Sequence, residues 1–306
     1  MKIYTLTLNP AYDVHAVADA FSACRENFAA IFRRDAGGKG VNISRALCAG
    51  DTPNTAVIVI GKENGSEFKN DLAQFGLDAL YLEKEGRIRE NLTLHHGSDE
   101  TRISFSGFCV DDSLITEVAE MMDVDEDTYV TFTGSIPSGM SRESAKAFLV
   151  GLKERGAKIV VDCRSFDLQD IRDIAPWIVK PNQQEVSQWF GTNVDTIEKA
   201  GAYAQKLSAM GVTNAMISMG ELGAVLYSDG LYVATAPKLC PVSTIGAGDS
   251  SIAGFLCATT KGLDKGDCLR HAVAFGSAAC LTEGTQPPKN ADIHKILRDI
   301  KISEGR

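Results

Sequence analysis

The chain has 306 residues, of which 44% are apolar and 23% charged, the ordinary mix of a globular protein long enough to bury a large core. No run of about eighteen uncharged apolar residues occurs, which excludes a helical membrane span of ordinary length. The 31 Lys and Arg against 40 Asp and Glu leave a net charge of −9, which repels phosphate backbones and argues against nucleic acid as a partner.

In chain order, residues 2–8 read as a strand, and they follow the start without the apolar core of a signal peptide, so a cytoplasmic location is expected. Residues 55–60, Thr-Ala-Val-Ile-Val-Ile, form a second strand. A helix over 66–76 follows, closed by Gly76. Residues 130–133 are strand, 141–155 a helix with Ser141 as N-cap, and 158–162 the next strand. Then come strand 177–180, helices 183–190 and 195–210, and strand 214–218. Residues 223–228 and 231–235 make a hairpin turned at Asp229-Gly230. A strand-like 239–242 leads to helices near 249–260 and 266–282.

Repeated strand-then-helix units predict an α/β fold with a mainly parallel sheet and helices on both faces. Residues 11–36 and 86–107 lack helical periodicity and are predicted to supply strands of a small separate sheet. With no linker or repeat, residues 1–306 read as one domain carrying this β excursion. The eight cysteines form no Cys-x-x-Cys pair, and free, buried thiols are expected.

Two glycine turns carry the chemistry. In Ser243-Thr244-Ile245-Gly246-Ala247-Gly248-Asp249, glycines opening a helix free backbone N–H groups to meet an anion, and the helix terminus adds positive potential. Asp249 would sit beside a bound phosphate and could accept a proton from a hydroxyl attacking phosphorus; alternatively it caps the helix. In Gly37-Gly38-Lys39-Gly40-Val41-Asn42, the glycines let backbone approach a polar ligand, with Lys39 and Asn42 free to bond sugar hydroxyls or phosphate; otherwise the loop holds a solvated lysine. The usual Gly-x-x-x-x-Gly-Lys phosphate loop is absent. Asn182 and Glu185 stand one helical turn apart after Lys180, which suits a water-mediated Mg²⁺ site or simply a helix start. Ser218-Met219-Gly220-Glu221-Leu222-Gly223 follows a strand and could line a nucleotide, or only turn the chain.

Together these motifs, with the opening Thr7-Leu8-Asn9-Pro10-Ala11-Tyr12-Asp13 and Gly134-Ser135-Ile136-Pro137, resemble the ribokinase-like (PfkB) carbohydrate kinases over nearly the whole chain. The branch they look like is that of 1-phosphofructokinase and tagatose-6-phosphate kinase. The resemblance implies a three-layer α/β core with a small β-sheet lid, and ATP and Mg²⁺ as cofactors. It matches Asp249 to the catalytic base and Gly246, Ala247 and Gly248 to an anion hole. Asp13, Gly38, Lys39 and Asn42 match sugar-contacting positions, and Arg89 and Asn91 an Arg-x-Asn near the sugar phosphate. Asn182 and Glu185 match an Asn-x-x-Glu associated with Mg²⁺ and phosphate, while Ser218, Gly220 and Gly223, with Lys180 nearby, match the ATP-side turn.

The chain departs from that pattern at Thr93, at Ser104-Phe105-Ser106-Gly107, at Ser243, and at Cys163-Arg164, where a small polar pair is usual. These changes leave the phosphotransfer residues in place and bear on the substrate. The expected activity is phosphorylation of a ketohexose phosphate, fructose 1-phosphate ahead of tagatose 6-phosphate, with Arg87, Arg89 and Arg102 as candidates to receive the existing phosphate. A kinase of an unphosphorylated sugar or nucleoside is the alternative, and a sugar- or nucleotide-binding regulator the reading from another class. A homodimer joined through the lid is expected, because a second subunit would cover its exposed sheet edges.

Overall fold

The computed structural model describes residues 1–305. Its main sheet has ten strands. From one edge these are Ile302–Gly305, Leu231–Ala234, Ala224–Tyr227, Asn214–Ser218, Ile178–Val179, Lys158–Cys163, Thr128–Gly134, Lys2–Thr7, Thr55–Gly61 and Asp78–Lys84. Neighbours from Asn214–Ser218 onward pair in parallel, and the three strands at the other edge pair antiparallel.

Alternation along the strands builds two apolar layers. Ile159 and Val161 face one and Val160 the other; Ala215 and Ile217 are likewise opposed to Met216. Helices Gly65–Ala73, Arg142–Glu154 and Ile197–Ala209 cover the first face. Helices Lys39–Ala49, Ala247–Thr260 and Lys265–Ala279 cover the second. Helix Ala247–Thr260 is apolar around most of its circumference because it lies between the other two. A Cβ on Gly254 would fall 2.4 Å from the His271 carbonyl oxygen, so only glycine permits that approach.

A second, four-stranded sheet is ordered Ala30–Gly37, Ala11–Ala18, Arg89–His96 and Asp99–Ile103. Its strands coincide, to within one residue at Gly37, with the two stretches that lacked helical periodicity, and the register shifts between His15 and Ala16, where Phe32 of the facing strand is left without a partner.

Local signals act where they were expected. The Ser141 hydroxyl accepts from the Ser144 N–H at 3.0 Å, and helix Gln183–Phe190 has the predicted ends. Three expectations fail. Residues 239–242 form no strand: Pro241 has no N–H to donate, and Val242 and Ser243 bond the Cys280 carbonyl instead. The helix over 66–76 closes at Ala73, and Gly76 follows in the left-handed region after a looser turn. All eight cysteines are free, but Cys24, Cys48, Cys109 and Cys240 are exposed, contrary to the expected burial. They stand in loops or at a helix end, where no apolar layer covers them.

Candidate active site

A cavity of about 560 Å³ opens at the carboxyl ends of the main-sheet strands, between that sheet and the small one. Thr7, Thr133, Gly134, Asp162 and Ser218 reach it from strand ends. The chain leaves strand Lys2–Thr7 toward one side of the sheet and later returns on the other, the reversal that leaves a crevice beyond the carboxyl ends.

Gly246 caps helix Ala247–Thr260 in the left-handed conformation (φ 79°), and no capping side chain takes the first-turn N–H groups. Gly246 and Gly248 line the cavity; Ala247 between them does not. Asp249 is the third helical residue, so it is not the cap, and it is 5% exposed. Its Oδ2 accepts from Asn42 Nδ2 at 2.9 Å. Burial pushes its pKa up to about 6, against the opposing charge of Lys39 and helped by that of Asp162. A carboxyl poised there can hold or release a proton near neutral pH.

Asn42 and Lys39 come from helix Lys39–Ala49, entered through Gly38 at φ 133°. A Cβ on Gly40 would fall 2.2 Å from the Leu6 carbonyl oxygen, so this glycine lets the helix rest on the end of the central strand. The Thr7 hydroxyl accepts from the Val41 N–H at 2.8 Å and secures that contact.

Asp162, absent from the residues singled out in the sequence, is the charge hub. Lys39 Nζ lies 3.0 Å from its Oδ1 and Lys180 Nζ 3.3 Å from its Oδ2. Burial alone would raise the Asp162 pKa, but the two ammonium groups overrule it and hold the carboxyl below its ordinary value. The signal in the sequence was an acid closing the apolar run Ile159–Val161; its partners are distant in the chain. Gly248 leaves room for the Lys180 ammonium, since a Cβ there would stand 3.1 Å from Nζ.

At the small-sheet end stand Asp13, Asn91, Arg89 and Arg102. Asn91 Nδ2 is 3.4 Å from Asp13 Oδ1, and burial raises the Asp13 pKa. The buried acceptors Asn42 Oδ1 and Asn91 Oδ1 have no partner among the described residues, leaving them open to hydroxyl donors. The Arg89 guanidinium is tied to the carbonyls of Phe105 at 3.0 Å and Asn9 at 3.3 Å. Arg102 lines the cavity, whereas Arg87 lies outside it, 3.9 Å from Glu90.

At the opposite end, Asn182 and Glu185 form a capping box. Asn182 Oδ1 accepts from the N–H groups of Gln184 and Glu185, and Glu185 Oε2 accepts from the Asn182 N–H. Glu185 Oε1 accepts from Arg164 Nε at 3.2 Å. Both residues nonetheless line the cavity, as does Ser218. No group of three or more metal-type ligands occurs among the described residues. One carboxylate beside an amide still fits Mg²⁺, which keeps several waters and shares its shell with phosphates. Gly220 and Gly223 do not line the cavity. Gly223 instead lets the hairpin close, since a Cβ there would fall 2.0 Å from the Ala234 carbonyl oxygen.

A family model described as pfkB family carbohydrate kinase matches residues 9–292. The 1-phosphofructokinase of Bacillus subtilis (strain 168) is 30% identical over 305 residues, covering 98% of this chain and 99% of that protein. The 1-phosphofructokinase of Haemophilus influenzae is also 30% identical, over 99% of this chain and 98% of its own length. A crystal structure of phosphofructokinase-2 from Escherichia coli, solved with substrates and products, superposes with a TM-score of 0.91 at 24% identity. The match covers 98% of this chain and 99% of that one. A tetrameric inhibited form of that enzyme matches with a TM-score of 0.87 at 22% identity, over 97% of this chain and 98% of its own.

Proposed function

The chain belongs to the pfkB family of carbohydrate kinases, and on that premise we propose that it transfers the terminal phosphoryl group of ATP to a hydroxyl of a ketohexose phosphate. Fructose 1-phosphate, giving fructose 1,6-bisphosphate, comes first because full-length relatives carry that activity in their names. Tagatose 6-phosphate comes second. The observation that carries the reading is Asp249, a buried carboxyl with a pKa near 6, set among uncapped helix N–H groups at one wall of a cavity whose far end holds Arg102.

Asp13, Asn42 and Asn91 orient the sugar hydroxyls, and Arg102 with Arg89 faces the phosphate the sugar already carries. Asp249 takes the proton of the attacking hydroxyl, while the N–H groups from Gly246 to Gly248 and the ammonium of Lys39 offset charge on the moving phosphoryl group. Lys180 and Ser218 border the nucleotide side. Mg²⁺, when bound, neutralises charge between the nucleotide phosphates, and Glu185 with Asn182 would hold it through water. The small sheet covers the sugar end as a lid and excludes water, which limits ATP hydrolysis. Residues 1–306 act as one kinase domain in this reading, and a second copy covers the exposed apolar side chains Val17, Phe28, Ile31 and Phe32 of the lid.

ADP release with ATP and Mg²⁺ tests the function across fructose 1-phosphate, fructose 6-phosphate, tagatose 6-phosphate, fructose, ribose and a nucleoside. Turnover confined to phosphorylated ketohexoses is expected. Turnover on neutral sugars alone overturns the substrate, and binding of sugar and ATP without ADP formation replaces the enzyme by a regulator.

A further inference from the structure

Arg164 is a cation that neither the fold nor the phosphotransfer groups described above require. It follows Cys163 at the end of strand Lys158–Cys163, where a small polar residue is usual in the kinases this chain resembles. Its side chain lines the same cavity as Asp249 and is 76% exposed. The one protein group it bonds among the described residues is Glu185 Oε1, at 3.2 Å from Nε. Three of the other cations of the cavity wall are more firmly committed, and the fourth, Arg102, stands at the small-sheet end. Lys39 and Lys180 share the buried Asp162, and Arg89 is held by two carbonyls.

An ion pair this exposed contributes little, so the arginine exchanges partners at small cost. A guanidinium presents a planar fork of N–H donors that matches phosphate oxygens, a geometry an ammonium does not offer. Glu185, Asn182 and Ser218 border the cavity at the same end, away from Asp13 and Arg102.

We infer that Arg164 binds the polyphosphate chain of a nucleoside triphosphate: parked on Glu185 in the free protein, it moves to a phosphate oxygen when the nucleotide enters. The exchange also frees Glu185 Oε1, the one carboxylate oxygen of that residue not spent on the helix cap. The inference rests on the phosphotransfer reading and deepens it by giving the nucleotide phosphates a named side chain.

The test is equilibrium binding of ATP and of adenosine, measured calorimetrically without divalent cation, on the wild type, Arg164→Ser and Arg164→Lys. The serine variant should bind ATP about tenfold more weakly, the scale of one hydrogen bond to a charged group, with adenosine affinity unchanged. The lysine variant should recover only part of the loss, because it restores charge without the fork. Matching unfolding curves establish that the exposed substitution leaves the fold intact. Unchanged ATP affinity, or equal weakening of ATP and adenosine, overturns the inference. Because the readout is binding, a protein that binds ATP through Arg164 yet phosphorylates nothing would overturn the phosphotransfer reading alone.

Discussion

The Asn42 amide donates to Asp249 Oδ2 at 2.9 Å, joining the first turns of two helices that are 207 positions apart in sequence. The bond favours the ionised carboxylate, against the burial that raises its pKa to about 6. Asn42→Ala should therefore move the acid limb of the kcat/KM profile to higher pH and lower turnover at neutral pH about tenfold. A limb that stays in place, or moves to lower pH, contradicts the assignment.

Asp249→Asn keeps the shape and removes the base, so kcat should fall by about 10²–10⁴ with the fold retained. The same residue has a signature in stability. Its folded pKa of about 6 exceeds the ordinary 3.8, so its favourable contribution is complete below about 3.8 and lost as pH rises through about 6. The asparagine variant lacks that loss. Thermal unfolding should show it gaining on the wild type between about pH 4 and pH 7.

Lys180→Met leaves Asp162, 6% exposed, with Lys39 as its one charged partner. Removing one member of a buried ion pair costs about 3–5 kcal/mol, so the urea midpoint at neutral pH should fall clearly. Adding Asp162→Asn should recover part of the loss, because the stranded charge disappears with it. An unchanged midpoint in the single variant would show that water reaches the carboxylate freely.

Arg102 and Arg87 belong to the same small region of the fold, yet only the first lines the cavity. Arg102→Ala should raise KM for the phosphorylated sugar about tenfold while leaving KM for ATP alone. Arg87→Ala should change neither by more than about twofold, as for a solvated side chain. Equal effects would place the sugar phosphate elsewhere.

Phe28 is 82% exposed and Ile31 67%, both on or beside the edge strand Ala30–Gly37. Sedimentation of the wild type should give a dimer mass, and Phe28→Asp with Ile31→Asp a monomer that still binds ATP. A concentration-independent monomer in the wild type would leave the apolar patch without its second copy.

What the sequence determined by itself was whatever depends on neighbours within a few residues. Ser141 and Asn182 cap their helices through bonds spanning two or three positions, and Asp229-Gly230 turns its hairpin, so each was legible in a short window. The glycine turns around Lys39 and Asp249 were legible too, because close backbone approach demands glycine whatever the distant partner is.

Only the tertiary structure decided what those turns meet. Asp162 becomes a hub because lysines 123 positions before it and 18 after it converge on one strand end. Gly223 proved to serve the hairpin and not the cavity, and residues 239–242 gave up their strand to a bond with Cys280. The pKa of Asp249 is likewise a property of the folded chain. It arises from burial and from Lys39, Asp162 and Asn42, which come from other strands and helices, and desolvation exists only once those elements have packed around the carboxyl.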